Sequence, residues 1–342
     1  MSSPLDRIVP YITSPSRGFR YASARWNEAA WRRTPAHRPK VPLTWGNDTS
    51  LRNSVVIGWP RLGAYPAKFI APIEQAFRRN FRVEEIPFSP NDRTFARFEV
   101  RFEGRVFPAI IDYRDNADLL DDFVQKSVVY FKMQFREDGY ADRKVIPGGY
   151  VPGLDLIIPA LNDLRSRRDA DHESFDVYGR FGLHSAADIR ARAVRMLSGQ
   201  PDFKYEGGLN IVRFGQYVVE LTQARVCLDL PGRGEFCYRL VDYMAVGSAI
   251  VAVRHRNRLP VMPQDGRDIA YVDADLSNLL EVVRHYLARP QERRNLVANS
   301  REFFDKYLHP EQLIHYYVSS VLQGSSRAPP EQYQPWIPHG DV

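Results

Sequence analysis

Chemistry-bearing residues concentrate in one short stretch of this chain. In Pro231-Gly232-Arg233-Gly234, two glycines let backbone N–H groups come close to a ligand, and the helix start that follows carries partial positive charge suited to phosphate. Arg239 and Asp242 lie three apart on that helix and share a face. A guanidinium there can fork onto a phosphate, while the carboxylate accepts from a ribose hydroxyl. A plain surface Arg–Asp pair is the competing reading. Further candidates sit in Ile111-Asp112-Tyr113-Arg114-Asp115-Asn116. Acids just past the carboxyl end of a strand are where open α/β sheets place ligand chemistry. Asp112 and Asp115 are therefore candidates for an acceptor-side base or a hydroxyl clamp. The alternative is that Asp115 or Asn116 caps a helix over 117–125. Lys132, inside the apolar run 127–135, reads as a strand-end cation facing a cleft or as a functional cation.

The elements that position these groups follow from periodicity and punctuation. Residues 224–230 read as a buried strand, 235–246 as an amphipathic helix with Phe236, Leu240, Tyr243 and Met244 on one face, and 249–253 as another buried strand. Gly247 stands where a helix C-terminal cap belongs. The set is a βαβ unit. Upstream, 174–178 and 186–197 form a similar strand–glycine–helix unit, with Arg180 and Arg190 at its mouth. The pattern then gives a strand at 269–272 and helices at 275–287, 290–307 and 310–322. The first half predicts strands at 55–58 and 82–86, a helix at 66–80, and a hairpin 97–102/106–111 around Glu103-Gly104-Arg105. The connection between halves falls in 138–153, 162–173 or both, with the boundary near residue 168.

At 342 residues the prior is two domains, and 44% hydrophobic with 26% charged residues is ordinary globular composition. No run approaches the roughly 18 apolar residues of a membrane span, and the N-terminus lacks a signal-peptide apolar core, so a cytoplasmic protein is expected. Cys227 and Cys237 supply neither a disulfide framework nor a metal set, and read as buried free thiols. Charge is uneven. Residues 1–54 hold nine Arg and Lys against three acids, which equals the whole chain's excess of +6. With Trp26, Trp31 and Trp45, this arm suits a polyanion or an anionic membrane face. The reading favoured is a segment that wraps the fold and buries its tryptophans. The tail from residue 324 is too proline-rich for a helix.

Three segments carry a resemblance: Phe175–Arg192 (FDVYGRFGLHSAADIRAR), Ala224–Val253 (ARVCLDLPGRGEFCYRLVDYMAVGSAIVAV) and Asp268–Phe304. The C-terminal half resembles the nucleotide-sugar domain of GT-B glycosyltransferases, particularly the exostosin-like and group-1-like families. The resemblance implies an α/β fold of two Rossmann-like domains facing across a cleft: a basic arm (1–54), an acceptor domain (55–168), a donor domain (169–323) and a tail (324–342). It implies metal-independent sugar transfer, because arginines, lysines and a helix N-terminus neutralise the leaving diphosphate. Carried over by position, Arg180 and Arg239 contact the diphosphate, Gly232 and Gly234 cradle it and Asp242 binds ribose; Arg190 is a further donor-binding candidate, with support of the loop as its alternative role. One departure stands out. Retaining members have a glutamate eight residues before the acid at the Asp242 position, which here is Gly234, and the neighbouring Glu235 takes that role only if the loop differs by one residue. The expected donor is a UDP-sugar, with no separate cofactor, and the expected acceptor is a glycan or glycoconjugate hydroxyl. The alternatives are a nucleic acid acceptor, on account of the basic arm, and a non-catalytic GT-B-like binding protein.

Overall fold

The computed structural model describes residues 15–45, 53–61, 64–87, 95–170, 172–182 and 184–325. Most of the tail and the arm's residues 1–14 and 46–52 lie outside them. Helix α1 (Pro15–Trp31) opens the described chain. Its inward stripe is Ala24, Glu28 and Trp31, spaced four and three residues apart, as an α-helical face requires. Residues 15–31 of the arm are therefore helical, although the sequence shows little period there. Trp31 is buried as expected and donates its indole N–H to Asp163 at 2.9 Å, whereas Trp26 is 79% exposed.

β1 (Val56–Pro60), α2 (Ala64–Asn80) and β2 (Arg82–Ile86) follow close to their expected positions. β3 (Phe95–Phe102) and β4 (Arg105–Asp112) form the predicted hairpin, with Glu103 and Gly104 at φ of 50° and 74°. Positive φ at both turn residues matches the strands' right-handed twist, and glycine adopts it without a Cβ penalty. After α3 (Asp121–Lys126) come β5 (Val129–Lys132), β6 (Phe135–Arg136) and β7 (Val145–Pro147). The run 127–135, expected as one strand, thus breaks at Met133-Gln134. The first sheet has the order β2-β1-β3-β4-β5-β7. It is parallel except for β3, which runs antiparallel to both β1 and β4.

Helix α4 (Ile157–Asp169) takes up most of the second stretch expected to connect the halves, 162–173, and none of the first, 138–153. β8 (Phe175–Arg180), α5 (Ala187–Ser198), β9 (Tyr205–Gly208), α6 (Phe214–Thr222), β10 (Ala224–Asp229), α7 (Tyr238–Val246), β11 (Ile250–Val253), β12 (Asn257–Arg258) and β13 (Ala270–Val272) follow. The second sheet is wholly parallel, in the order β13-β11-β10-β8-β9. Its inner strand β11 is apolar and buried throughout, and β10 is buried except at Arg225, as a sheet covered by helices demands. The βαβ unit forms as predicted. Gly247 takes the left-handed cap at φ 87°, but the helix begins at Tyr238, three residues later than its apolar spacing implies.

α8 (Leu279–Ala288) and α9 (Pro290–Phe303) follow, with a π-helical turn over Phe304–Leu308 and then α10 (Pro310–Ser325). α10 packs on the first sheet and α2. Tyr317 sits 4.6 Å from the Phe131 ring, and its hydroxyl donates to the Gly148 carbonyl at 2.6 Å. The halves are also joined by the antiparallel pair β6–β12. One apolar core consequently runs through both halves, while a second, from Val177 and Val226 to Leu296, fills the outer side of the parallel sheet.

Candidate active site

The loops leaving β8 and β10 open on one cavity of about 200 Å³. Gly182, His184 and Ser185 line it ahead of α5, and Gly232, Arg233, Phe236, Cys237 and Tyr238 line it at the start of α7. Arg190 enters from the first turn of α5, while Asp115 and Tyr150 close it from the first half of the chain. The starts of two helices, of 12 and 9 residues, therefore meet at one space. Their unpaired N–H groups and aligned dipoles make that space favourable for an anion.

Arg190 is the strut between the loops. Its Nε donates to the Pro231 carbonyl at 3.0 Å and its Nη1 to the Gly182 carbonyl at 2.6 Å. Burial, and then the neighbouring Arg239 guanidinium, pull its pKa down. An arginine stays charged through such a shift, so it is a cation beside the cavity with no carboxylate ion-pair partner among the described residues. Arg233 is exposed on the same loop and makes no hydrogen bond or ion pair among the described residues. Gly232 admits this crowding. A Cβ there would stand 3.0 Å from Cys237 Sγ and 3.4 Å from Arg190 Nη2.

Gly234 has a different reason to be glycine. An added Cβ would overlap both the Gln134 amide and the Asp115 carboxylate. Gln134 is buried at the break between β5 and β6. Its Nε2 lies 2.9 Å from Asp115 Oδ1, 2.9 Å from the Phe236 carbonyl and 3.1 Å from the Tyr150 hydroxyl. Asn257 also donates to its Oε1. This amide fixes Asp115 against the backbone of the β10–α7 loop. Burial pushes the Asp115 carboxyl up, while the Gly234 N–H and the Gln134 amide hold it down. Asp115 does not cap α3, whose N-cap is Leu120 without a side-chain bond.

The remaining candidates are placed elsewhere. Asp112 is fully buried, with Lys132 Nζ and Arg114 Nη2 each at 2.8 Å and the Tyr130 hydroxyl at 2.5 Å. The parallel register sets Asp112 directly opposite Lys132, so the ion pair is built into the sheet. Both are fully buried and neither lines the cavity, which corrects the catalytic reading of Asp112 and the cleft-facing reading of Lys132. Burial lowers the Lys132 pKa, and Asp112 opposes that shift. Glu235 turns to Arg256, 3.1 Å away, and does not line the cavity, which corrects its catalytic assignment. Arg180 is consumed by Glu206 at 2.6 Å and Glu220 at 2.7 Å. Arg239 is held by Asp229 at 2.9 Å and the Leu230 carbonyl at 2.6 Å, and stacks 4.7 Å over Phe181. Both arginines brace the loops behind the cavity without lining it. Asp242 is buried as well. It accepts the Gly153 N–H at 3.0 Å and the Tyr217 hydroxyl at 3.3 Å, and clamps a first-half loop onto α7.

His184, Ser185, Tyr150 and Tyr238 line the cavity without having been singled out in the sequence. The segment Gly182-Leu-His-Ser is legible as the loop ahead of α5, which is the local signal that His184 and Ser185 carry. Cys227 is buried, whereas Cys237 is only partly so and lies at the α7 N-cap on the cavity wall. Among the described residues, no group of three or more His, Cys, Asp or Glu side chains is placed to hold a metal ion, and no helix is long and apolar enough to cross a membrane.

No curated protein matches the chain. A family model described as glycosyl transferase-like matches residues 164–319, from within α4 through the parallel sheet into α10, and this similarity supports a glycosyltransferase family.

Proposed function

We propose that the protein transfers a sugar from a nucleotide-diphosphate donor, a UDP-sugar, to a hydroxyl of a glycan or glycoconjugate, across a GT-B-type cleft. The carrying observation is the cavity where two helix starts, Arg190 and Arg233 meet one carboxylate, Asp115, supplied by the other half of the chain. The donor diphosphate lies at the helix starts, where fixed dipoles and guanidinium groups stabilise the charge that grows on the leaving oxygen. At about 200 Å³ the cavity is smaller than the roughly 300–1,000 Å³ of most ligand pockets. It encloses the reacting part of the donor and leaves the nucleoside in the open cleft.

Asp115 carries the acid–base step in this reading. The acceptor oxygen forms a bond to the anomeric carbon, the bond from that carbon to the phosphate oxygen breaks, and the acceptor proton passes to the Asp115 carboxylate. Its placement explains the glycine at 234. Related retaining enzymes project a glutamate from that position, and here the Asp115 carboxylate occupies the space instead. A raised carboxyl pKa suits a base that must also release its proton. The test is Asp115→Asn, assayed for sugar transfer and for donor binding. Loss of turnover by about 10²–10⁴-fold with donor affinity retained supports the assignment. Unchanged turnover removes Asp115 from the mechanism.

A further inference from the structure

The outward face of α1 has no role in the site. Its inward face is fully committed. Glu28 accepts from Arg213 and, at 2.9 Å, from the Gly215 N–H, and Trp31 bonds to Asp163. The helix is thereby pinned in rotation against α6, and the opposite stripe is fixed in solvent. That stripe carries Arg25, Trp26 and Ala29, and the turn that follows Trp31 adds Arg32 and Arg33, all exposed. Arg38 and Lys40 extend the exposed charge beyond the helix. The single acid in residues 20–45 is Glu28, which is turned inward. Among the described residues, the surface therefore presents cations without counter-charges around a large apolar side chain.

We infer that this face of α1 is a docking surface for an anionic phospholipid bilayer. The chemistry is that of an interfacial helix: guanidinium groups meet lipid phosphates, and an indole settles at the headgroup level. The disposition of the aromatics selects a membrane over nucleic acid. A strand-binding groove stacks successive bases on several exposed rings. Here Trp31 is buried and Trp45 packs 5.0 Å from Tyr316, so among the tryptophans of the described arm only Trp26 is exposed. Among the described residues the other exposed large apolar side chain is Ile211, 72% exposed, two residues before Arg213 and with its Cδ1 3.4 Å from a Cβ built on Gly182. Docking through α1 would hold the enzyme beside acceptors that reside in the lipid.

The test is co-sedimentation of the full chain with vesicles of phosphatidylcholine alone or with a third phosphatidylglycerol, at low and high salt. Brominated lipids report tryptophan depth by quenching. Binding is expected only to anionic vesicles and should weaken with salt. Arg25→Glu/Arg32→Glu/Arg33→Glu should reduce it at least tenfold, and Trp26→Ala should abolish the bromolipid quenching. Both variants should keep the wild-type melting temperature, since these side chains point outward. Equal binding to neutral vesicles, anionic binding unchanged in the triple variant, or tighter binding to a single-stranded oligonucleotide than to anionic vesicles would each overturn the assignment.

Discussion

Asp112 and Asp115 leave the same strand three residues apart and end in opposite circumstances. Asp112 is sealed in the first sheet, with Lys132, Arg114 and Tyr130 all directed at its two oxygens. Asp115 lines the cavity and is held by an amide side chain and one backbone N–H, neither of them charged. The arginines divide in the same way. Arg180 and Arg239 face carboxylates, whereas Arg190 is held by carbonyls and Arg233 stands open. A charge saturated by an opposite charge serves the fold. A charge positioned by neutral groups retains its attraction for a ligand, and such charges line the cavity here.

The comparison breaks most visibly at Asp112. Asp112→Ala leaves Lys132 buried without its partner, and should cost about 3–5 kcal/mol in urea unfolding. A cost under about 1 kcal/mol would mean that the pair is not the strut described. Asp242 gives the next largest effect, through pH. Burial pushes its carboxyl up to about 7, from 3.8 when unfolded. Between those values the unfolded chain binds fewer protons than the folded one, so stability declines as pH rises from about 4 to 7. The wild type should lose about 1–4 kcal/mol across that window. Asp242→Asn, which cannot ionise, should flatten the profile in unfolding measured at pH 5 and pH 8. An unchanged slope would place the titration elsewhere. The smallest effect belongs to Glu235→Ala. It removes a partly exposed pair with Arg256 outside the cavity, and should shift stability by less than about 0.5 kcal/mol while leaving turnover intact. A large loss of turnover would return Glu235 to the mechanism.

The second half was legible because its signals are local. Two glycines and a proline mark the loop, Gly247 marks the helix end, and buried parallel strands read as short apolar runs. The helix start was misplaced because Glu235, Phe236 and Cys237 continue the apolar spacing while forming the turn. Less of the site could be read, since its bonds are distant in sequence. Gln134 sits in an apolar run with nothing local to mark it, yet its partners include Phe236 and Asn257, more than a hundred residues away. Helix α1 was hidden for a related reason. Glu28 occupies its inward stripe, and an acid there reads as surface until Arg213 is seen to satisfy it. Likewise, Asp112 resembles a strand-end ligand until the β4–β5 register sets Lys132 opposite it.

The most direct measurement is calorimetric titration of the protein with UDP, repeated on Arg233→Ala and Arg256→Ala. Arg233 lines the cavity, while Arg256 is paired with Glu235 away from it. The account predicts that UDP binds the wild type, that Arg233→Ala loses about tenfold in affinity, in keeping with one charge-assisted hydrogen bond, and that Arg256→Ala binds as the wild type does. Equal affinities in all three proteins would contradict the placement of the diphosphate at the helix starts, and no binding to any of them would contradict the choice of donor.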